Sequence, residues 1–482
     1  RNEGIRWKIT LPGTGQSTVI SWGDRIFFTT MKAVQQDAAV GSDIVAWCCD
    51  ANTGKTLWKH EIEAKYPLRL SGCFSDSTAP PPVTDGRYVC FFNASGTIAC
   101  FDLEGDFQWS RDVMAVGRSQ PTLLHGSVVF IKQTYLPDES GNFTHDHGNA
   151  LQGEWTQLQS INLQTGEDTW TTTCGVNMGC VPLLMSRTDG REVMVVGRGG
   201  GHSPPEKPTG ISMVDADDGK TLWTLPLPKF MSTMSYNLAG DDVLVFDAGN
   251  HLWVDAYSGK VKRQVSIVEN VSVRVHSDEG WRTEKTAIAN VKKPRAIIQQ
   301  SNVLAGSYHY FRSYTEPWLG RVDTRSGRVE YLQLPVQMRA GSERQKDDLL
   351  WGPEDMDAAV VKALRGTKKK QSTLPITKWA FSENDMKDAG GHVVMGDQRS
   401  KGNGWGHHAS QLPTVIGDFL YVPTMAGTVY VVRWNNEVLD ENAIVAINDL
   451  GPVGESWNRA SLSFANDSLF AHTIDGLICI GE

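Results

Sequence analysis

One turn recurs six times in this chain, and it constrains the fold more than any other feature. An apolar stretch is followed by Asp or Asn, then a turn ending in Gly, often Lys, and then Trp. The copies read AWCCDANTGKTLW (46–58), ACFDLEGDFQW (99–109), SINLQTGEDTW (160–170), SMVDADDGKTLW (212–223), WVDAYSGKVKR (253–263) and GRVDTRSGRVE (320–330). The turn glycines are Gly54, Gly105, Gly166, Gly219, Gly259 and Gly327. Spacings of roughly 40 to 70 residues point to a propeller or a solenoid.

The chemistry of the unit explains its residues. Asp at the turn entry accepts backbone N–H bonds, and Gly at its end supplies a positive φ. The alternating runs on either side predict a half-buried hairpin. The Trp on the outgoing strand is expected to dock between neighbouring sheets, as Trp58, Trp109, Trp170 and Trp223 would. A second strand–turn–strand precedes each copy, for example PPPVTDGRYVCFF (80–92) and DDVLVFDAGNHLWVD (241–255). Each unit is therefore four antiparallel strands, here named a to d, which is one propeller blade.

The units number eight: about 17–63, 76–113, 119–173, 180–226, 231–268, 270–334, 408–449 and 459–482. The last lacks a d strand. GIRWKITLP (4–12) supplies one, with Trp7 in the repeated Trp place. The expectation is an all-β, eight-bladed propeller forming a single domain over 1–482. Its N-terminal strand completes the last blade and removes an open sheet edge. The stretch 337–406 is an insertion and a possible lid. Asp347 to Arg365 reads as partly helical, with Pro353 near its start and Gly366 at its end.

Composition narrows the partners. The chain has 482 residues, with 46 Lys and Arg against 55 Asp and Glu, a net charge of −9. An acidic chain lacks the basic stripe a nucleic-acid partner needs. Lys368-Lys369-Lys370 reads as a solvated loop. No apolar run is long enough for a transmembrane helix. The chain starts at Arg1 rather than Met, so a removed leader is expected; export and trimming in the cytosol both fit that start, and a periplasmic or secreted location is the expectation. Eight cysteines lack zinc-site spacing. Cys90 and Cys100 flank one hairpin. Cys174 and Cys180 share a d–a loop, where either a disulfide or free thiols would fit.

The D-x-x-T-G-K-x-x-W turn resembles the repeat of the pyrroloquinoline quinone (PQQ)-like propeller family. The family includes quinoprotein alcohol dehydrogenases and a cofactor-free propeller lipoprotein of outer-membrane β-barrel assembly. The resemblance covers nearly all of the chain outside 337–406. It implies the propeller fold, and it brings PQQ and calcium into view as cofactors. Quinoprotein members place a vicinal disulfide against the cofactor on the binding face. Cys48-Cys49 instead sits in strand c of blade one, running into the turn. No match to the family's calcium-binding Glu and Asn or to its catalytic Asp stands out, so no catalytic, cofactor-binding or metal-binding residue is assigned.

Antiparallel blades sort the loops. The a–b and c–d turns share one face, and the b–c and d–a loops share the other. The long segments 135–156, 198–209, 310–318 and 335–407 all fall on the second face, where binding is expected. Its d–a loops would bring Asp76, Arg118, Asn177, Lys229, Trp405, His407, His408, Trp457 and Arg459 to the channel mouth as ligand-binding candidates. Adjacent His407 and His408 point oppositely on an extended segment, so at most one faces a ligand. His145-Asp146-His147 is split the same way and reads as a loop rather than a metal site. GRGGGHSPP (197–205) enters no helix and is not a phosphate loop.

Three functions compete. The first is a binding or scaffold module for a protein, peptide or glycan at the long-loop face. The second is a quinoprotein-type oxidoreductase acting on an alcohol or sugar, with Asp76 or a carboxylate from the lid as base and His407, Arg118 or Arg459 holding the quinone's carboxylates. The third is a cofactor-independent lyase or hydrolase at the same face. The first is the expectation.

Overall fold

The structure is a computed structural model that describes residues 4–33, 43–67, 77–115, 120–141, 156–176, 183–199, 207–227, 235–247, 249–277, 280–286, 301–312, 318–334, 411–424, 427–451, 458, 460–474 and 476–481. Among them the strands form eight sheets, seven of four strands and one of six. Blade one shows the pattern: Ile20–Trp22, Arg25–Met31, Ile44–Asp50 and Thr56–Ile62 pair antiparallel in chain order, from the inner edge outward. The inner a strands of blades one to seven neighbour one another around the axis. Blade eight is closed as expected. Ile5–Thr10 pairs antiparallel with Gly476–Ile480, setting Trp7 opposite Cys479.

The core is a ring of layers between blades. One apolar cluster joins blades one and two, another two and three, and others follow round to eight and one. Both faces of every middle strand are therefore covered. Tyr88–Asn93 is buried at all six positions, and so is Gly210–Asp215. The sequence predicted half-buried alternation on both arms of each turn. Only the outer d strands show it, Phe107–Asp112 for example. A strand packed on two sides by neighbouring sheets has no solvent face to keep polar.

The repeat aligns one row of residues across the blades. In blade one it reads Phe27–Cys48–Trp58, in blade two Cys90–Cys100–Trp109, and in blade three Val129–Ser160–Trp170. Blade four gives Val195–Met213–Trp223, and blade eight gives Phe470–Cys479–Trp7. Each of these Trp rings lies on the turn glycine of the next blade. A Cβ on Gly166 would sit 2.7 Å from the Trp109 ring, and Gly54 meets Trp7 in the same way. Gly166 also has φ +71°, a conformation that only Gly adopts at little cost. Trp7, Trp58, Trp109 and Trp223 donate Nε1–H to a carbonyl of that next blade, at 2.9–3.0 Å. The Gly and the Trp of the motif thus serve different interfaces of one ring.

Blade six departs from the repeat. Its four strands are Asn302–Ala305, Tyr308–Arg312, Trp318–Asp323 and Val329–Gln333. Val271–Ser277 and Gly280–Thr286 form a hairpin added outside the fourth strand, and the added contact is parallel. The expectation of four strands per blade fails here because these two runs carry the same strand pattern as an inner pair. Their outer placement covers Val329–Gln333 completely, unlike the other d strands. The described residues contain one short 3-10 turn, Glu441–Ala443, and no α-helix. They give no support to the partly helical insertion at 337–406, which lies outside them.

Candidate functional site

Most buried polar side chains among the described residues gather at one end of the blades, where strands a begin and strands b end. This is the long-loop face. Strand b of blade two ends in Asn93, of blade three in Gln133, of blade four in Arg198, of blade five in Asp247 and of blade six in Arg312. These side chains close each otherwise apolar strand.

The polar groups link blade to blade as a belt. Thr78 Oγ1 of blade two accepts from Gln16 N at 2.9 Å, and Ser77 and Ser95 hydroxyls meet at 2.6 Å. His472 of blade eight donates Nδ1–H to Ser17 O at 2.9 Å. Ser301 Oγ donates to Gln411 O at 2.8 Å, joining blades six and seven. Arg312 Nη1 donates to Pro423 O at 2.8 Å across the same gap. Arg198 donates to the carbonyls of Cys174, Lys207 and Pro208. Backbone carbonyls thus accept three bonds from Arg198 and one from Arg312, which ties loops to the strand ends.

Between blades five and six the belt runs inward to two histidines. Leu304 N–H donates to Asn237 Oδ1 at 3.1 Å, so the Asn237 amide nitrogen is the end that donates to Asn302 Oδ1 at 2.7 Å. Asn302 Nδ2 donates to Ser235 O. Asn302 Oδ1 therefore accepts from His309 Nε2–H at 2.9 Å, and His309 Nδ1 accepts from His251 Nε2–H at 2.8 Å. His251 Nδ1 is left as a bare acceptor with no partner. Both rings are neutral. Burial pushes His251 down to about 3, with the Arg263 charge adding to it, and burial holds His309 well below its usual value.

The belt is open at blades seven and eight. Gln411 and Asn458 are wholly buried and stand just before strands Thr414–Ile416 and Ser463–Ala465. Gln411 Nε2 donates to Asn458 O, and Asn458 Oδ1 accepts from Ala460 N at 3.1 Å. These fixed partners set both amide orientations. Gln411 Oε1 and Asn458 Nδ2 then have no hydrogen-bond partner. A buried unpaired donor or acceptor costs about 1–3 kcal/mol, so each of these two atoms calls for a polar partner.

Asp76, Arg118, Asn177, Lys229, Trp405, His407, His408, Trp457 and Arg459 all lie outside the described residues. So do His145, Asp146 and His147. In the chain Trp457 and Arg459 flank Asn458, and Asp76 precedes Ser77. Sequence reasoning passed over the belt itself. Its signal was a polar residue ending otherwise apolar b strands, as in YVCFFN and SVVFIKQ.

The family model described as outer membrane protein assembly factor BamB matches residues 33–172 and 140–371, together well over half of the chain. The chain belongs to the PQQ-like propeller family. No curated protein matches the sequence. Among solved structures, quinohemoprotein alcohol dehydrogenase from Comamonas testosteroni is similar at 12% identity and a TM-score of 0.52, covering 99% of this chain and 77% of that one. A europium-containing methanol dehydrogenase gives 11% and 0.53, covering 98% and 85%. Sqt1 from Saccharomyces cerevisiae gives 8% and 0.53, covering 99% of both. At these identities the likeness shows the fold.

The positions named for a quinone, Asp76, Arg118, His407 and Arg459, lie outside the described residues. No group of three or more His, Cys, Asp or Glu among the described residues could hold a metal ion. Cys48 and Cys49 are buried free thiols whose side chains enter the clusters on opposite faces of blade one. Burial raises them to about 12 and about 11. Cys174 is likewise buried, and Cys180 lies outside the described residues. No helix among the described residues is long and apolar enough to cross a membrane.

Proposed function

We propose that this PQQ-like propeller is an exported binding module that takes an uncharged, hydrogen-bonding segment of a peptide or glycan at its long-loop face. The observation that carries this reading is the unpaired acceptor and donor at Gln411 Oε1 and Asn458 Nδ2. A backbone amide or a pair of sugar hydroxyls offers both complements at once.

The test is thermal shift of the purified protein against peptide and oligosaccharide panels, with PQQ plus calcium as the competing ligand. A ligand bound only by the folded state raises its melting temperature. Stabilisation by a peptide or glycan, lost in Gln411→Leu with the fold retained, supports the module. A large shift with the quinone and calcium, and none with either panel, replaces it by the oxidoreductase reading.

A further inference from the structure

The eight blades place homologous residues in one row, and only blade two sets a thiol against a thiol there. In that row the b-strand residue facing Cys48 is Phe27, and the one facing Cys479 is Phe470. In blade two Cys90 of Tyr88–Asn93 lies directly opposite Cys100 of Thr97–Asp102. The register also fixes the kind of pair. Asp102 N–H donates outward, to Asp106 O on the d side. Backbone groups alternate sides along a strand, so Cys100 also points its N–H and C=O outward, away from Cys90. The two cysteines are therefore a non-hydrogen-bonded pair, whose Cα atoms lie about 4.5 Å apart with side chains close. That is within the range of about 4.4–6.8 Å that a disulfide spans. Both side chains enter the same cluster, against blade three, where Cys100 Sγ meets Leu163 O at 3.5 Å.

We infer that Cys90 and Cys100 close this hairpin as a disulfide when the chain folds in the presence of a small-molecule disulfide oxidant. The thiolate of one cysteine attacks the small disulfide and releases one small thiol. The second cysteine, also deprotonated, attacks the mixed disulfide and releases the other. Two S–H bonds are lost, one S–S bond forms, and the oxidant leaves as two thiols. Both thiols are fully buried in the finished fold, and burial holds Cys90 well above its usual value. The native thiols are therefore unreactive, and the bond forms before blade three docks over Cys100.

The test is refolding of the full chain from denaturant with reduced and oxidised glutathione, then acid quench, alkylation under denaturing conditions and tryptic mapping. Arg87 and Arg111 bound one peptide, 88–111, that contains both cysteines and no other Lys or Arg. The expected product is this peptide unalkylated and lighter by two hydrogens. In a Cys100→Ala variant Cys90 is then alkylated. Recovery of peptide 88–111 with both cysteines alkylated, or of either cysteine joined to a different one, overturns the assignment.

Discussion

At the residue scale, the two neutral histidines between blades five and six are the most exposed to pH. His251 packs on Trp253 and Phe246 with ring centroids 4.2 and 4.9 Å away, and it has no acceptor for a second proton. Its folded value lies near 3, below its usual 6.5. Between those values the unfolded chain binds more protons than the folded one. Stability must therefore fall as pH drops from about 6.5 toward 3, by up to about 1.4 kcal/mol per pH unit for this one ring. Gln at this position keeps a donor for His309 Nδ1 but does not titrate. Urea unfolding of His251→Gln between about pH 6 and 4 should give a shallower slope than the parent. Parallel slopes would mean that carboxylates alone govern acid unfolding. None of this was legible beforehand. His251 and His309 stand in strands of different blades, and only the closed ring brings their nitrogens to 2.8 Å.

At the scale of the elements, blade six shows how one repeat loses its motif and keeps its interface. Its row reads Tyr310–Arg321–Glu330, with no Trp. Arg321 is fully buried, 2.8 Å from Glu330, and its guanidinium lies 4.1 Å from the Tyr308 ring centre. Arg321 donates to the carbonyls of Asn436 and Glu437 in blade seven. A planar fork with five donors thus reaches the next blade, as Trp does elsewhere. Removing Arg321 leaves the buried Glu330 with Arg328, 3.6 Å away, as its cation partner, a loss of up to about 3–5 kcal/mol. Arg321→Met should show that loss in chemical denaturation. Adding Glu330→Leu should recover at least about 1 kcal/mol of it, whereas strictly additive losses would show that the two act separately. The repeat was legible wherever Trp and Gly occur together. The added hairpin was not, because Val271–Ser277 has the alternation of any strand, and sequence does not say which edge it joins.

At the scale of the whole molecule, the ring depends on contacts between the two ends of the chain. The first strand meets the last, and blade eight packs on blade one. Most of this was readable, because Trp7 carries the motif that the C-terminal blade lacks. The mouth was not readable in the same way, since long loops follow no repeat and only the strand ends beside them keep a register. The closure itself can be tested. Trp7 Nε1 donates to Ala51 O at 3.0 Å and its ring faces Phe470 at 5.9 Å, so Ile5–Thr10 holds blade one as well as blade eight. Gly481 N donates to Gly4 O at 2.7 Å at the strand's start. Deleting residues 1–12 bares the edge of Gly476–Ile480 and uncovers Gly54. An open edge of apolar strand recruits other chains. The truncated chain should scatter light on concentration and unfold over a broadened transition. A synthetic peptide of residues 4–12 should restore the sharp transition by strand addition, and the same peptide with Trp7→Ala should not. A truncated chain that stays monomeric, with an unchanged midpoint, would show that the interfaces between blades hold the ring without its closing strand.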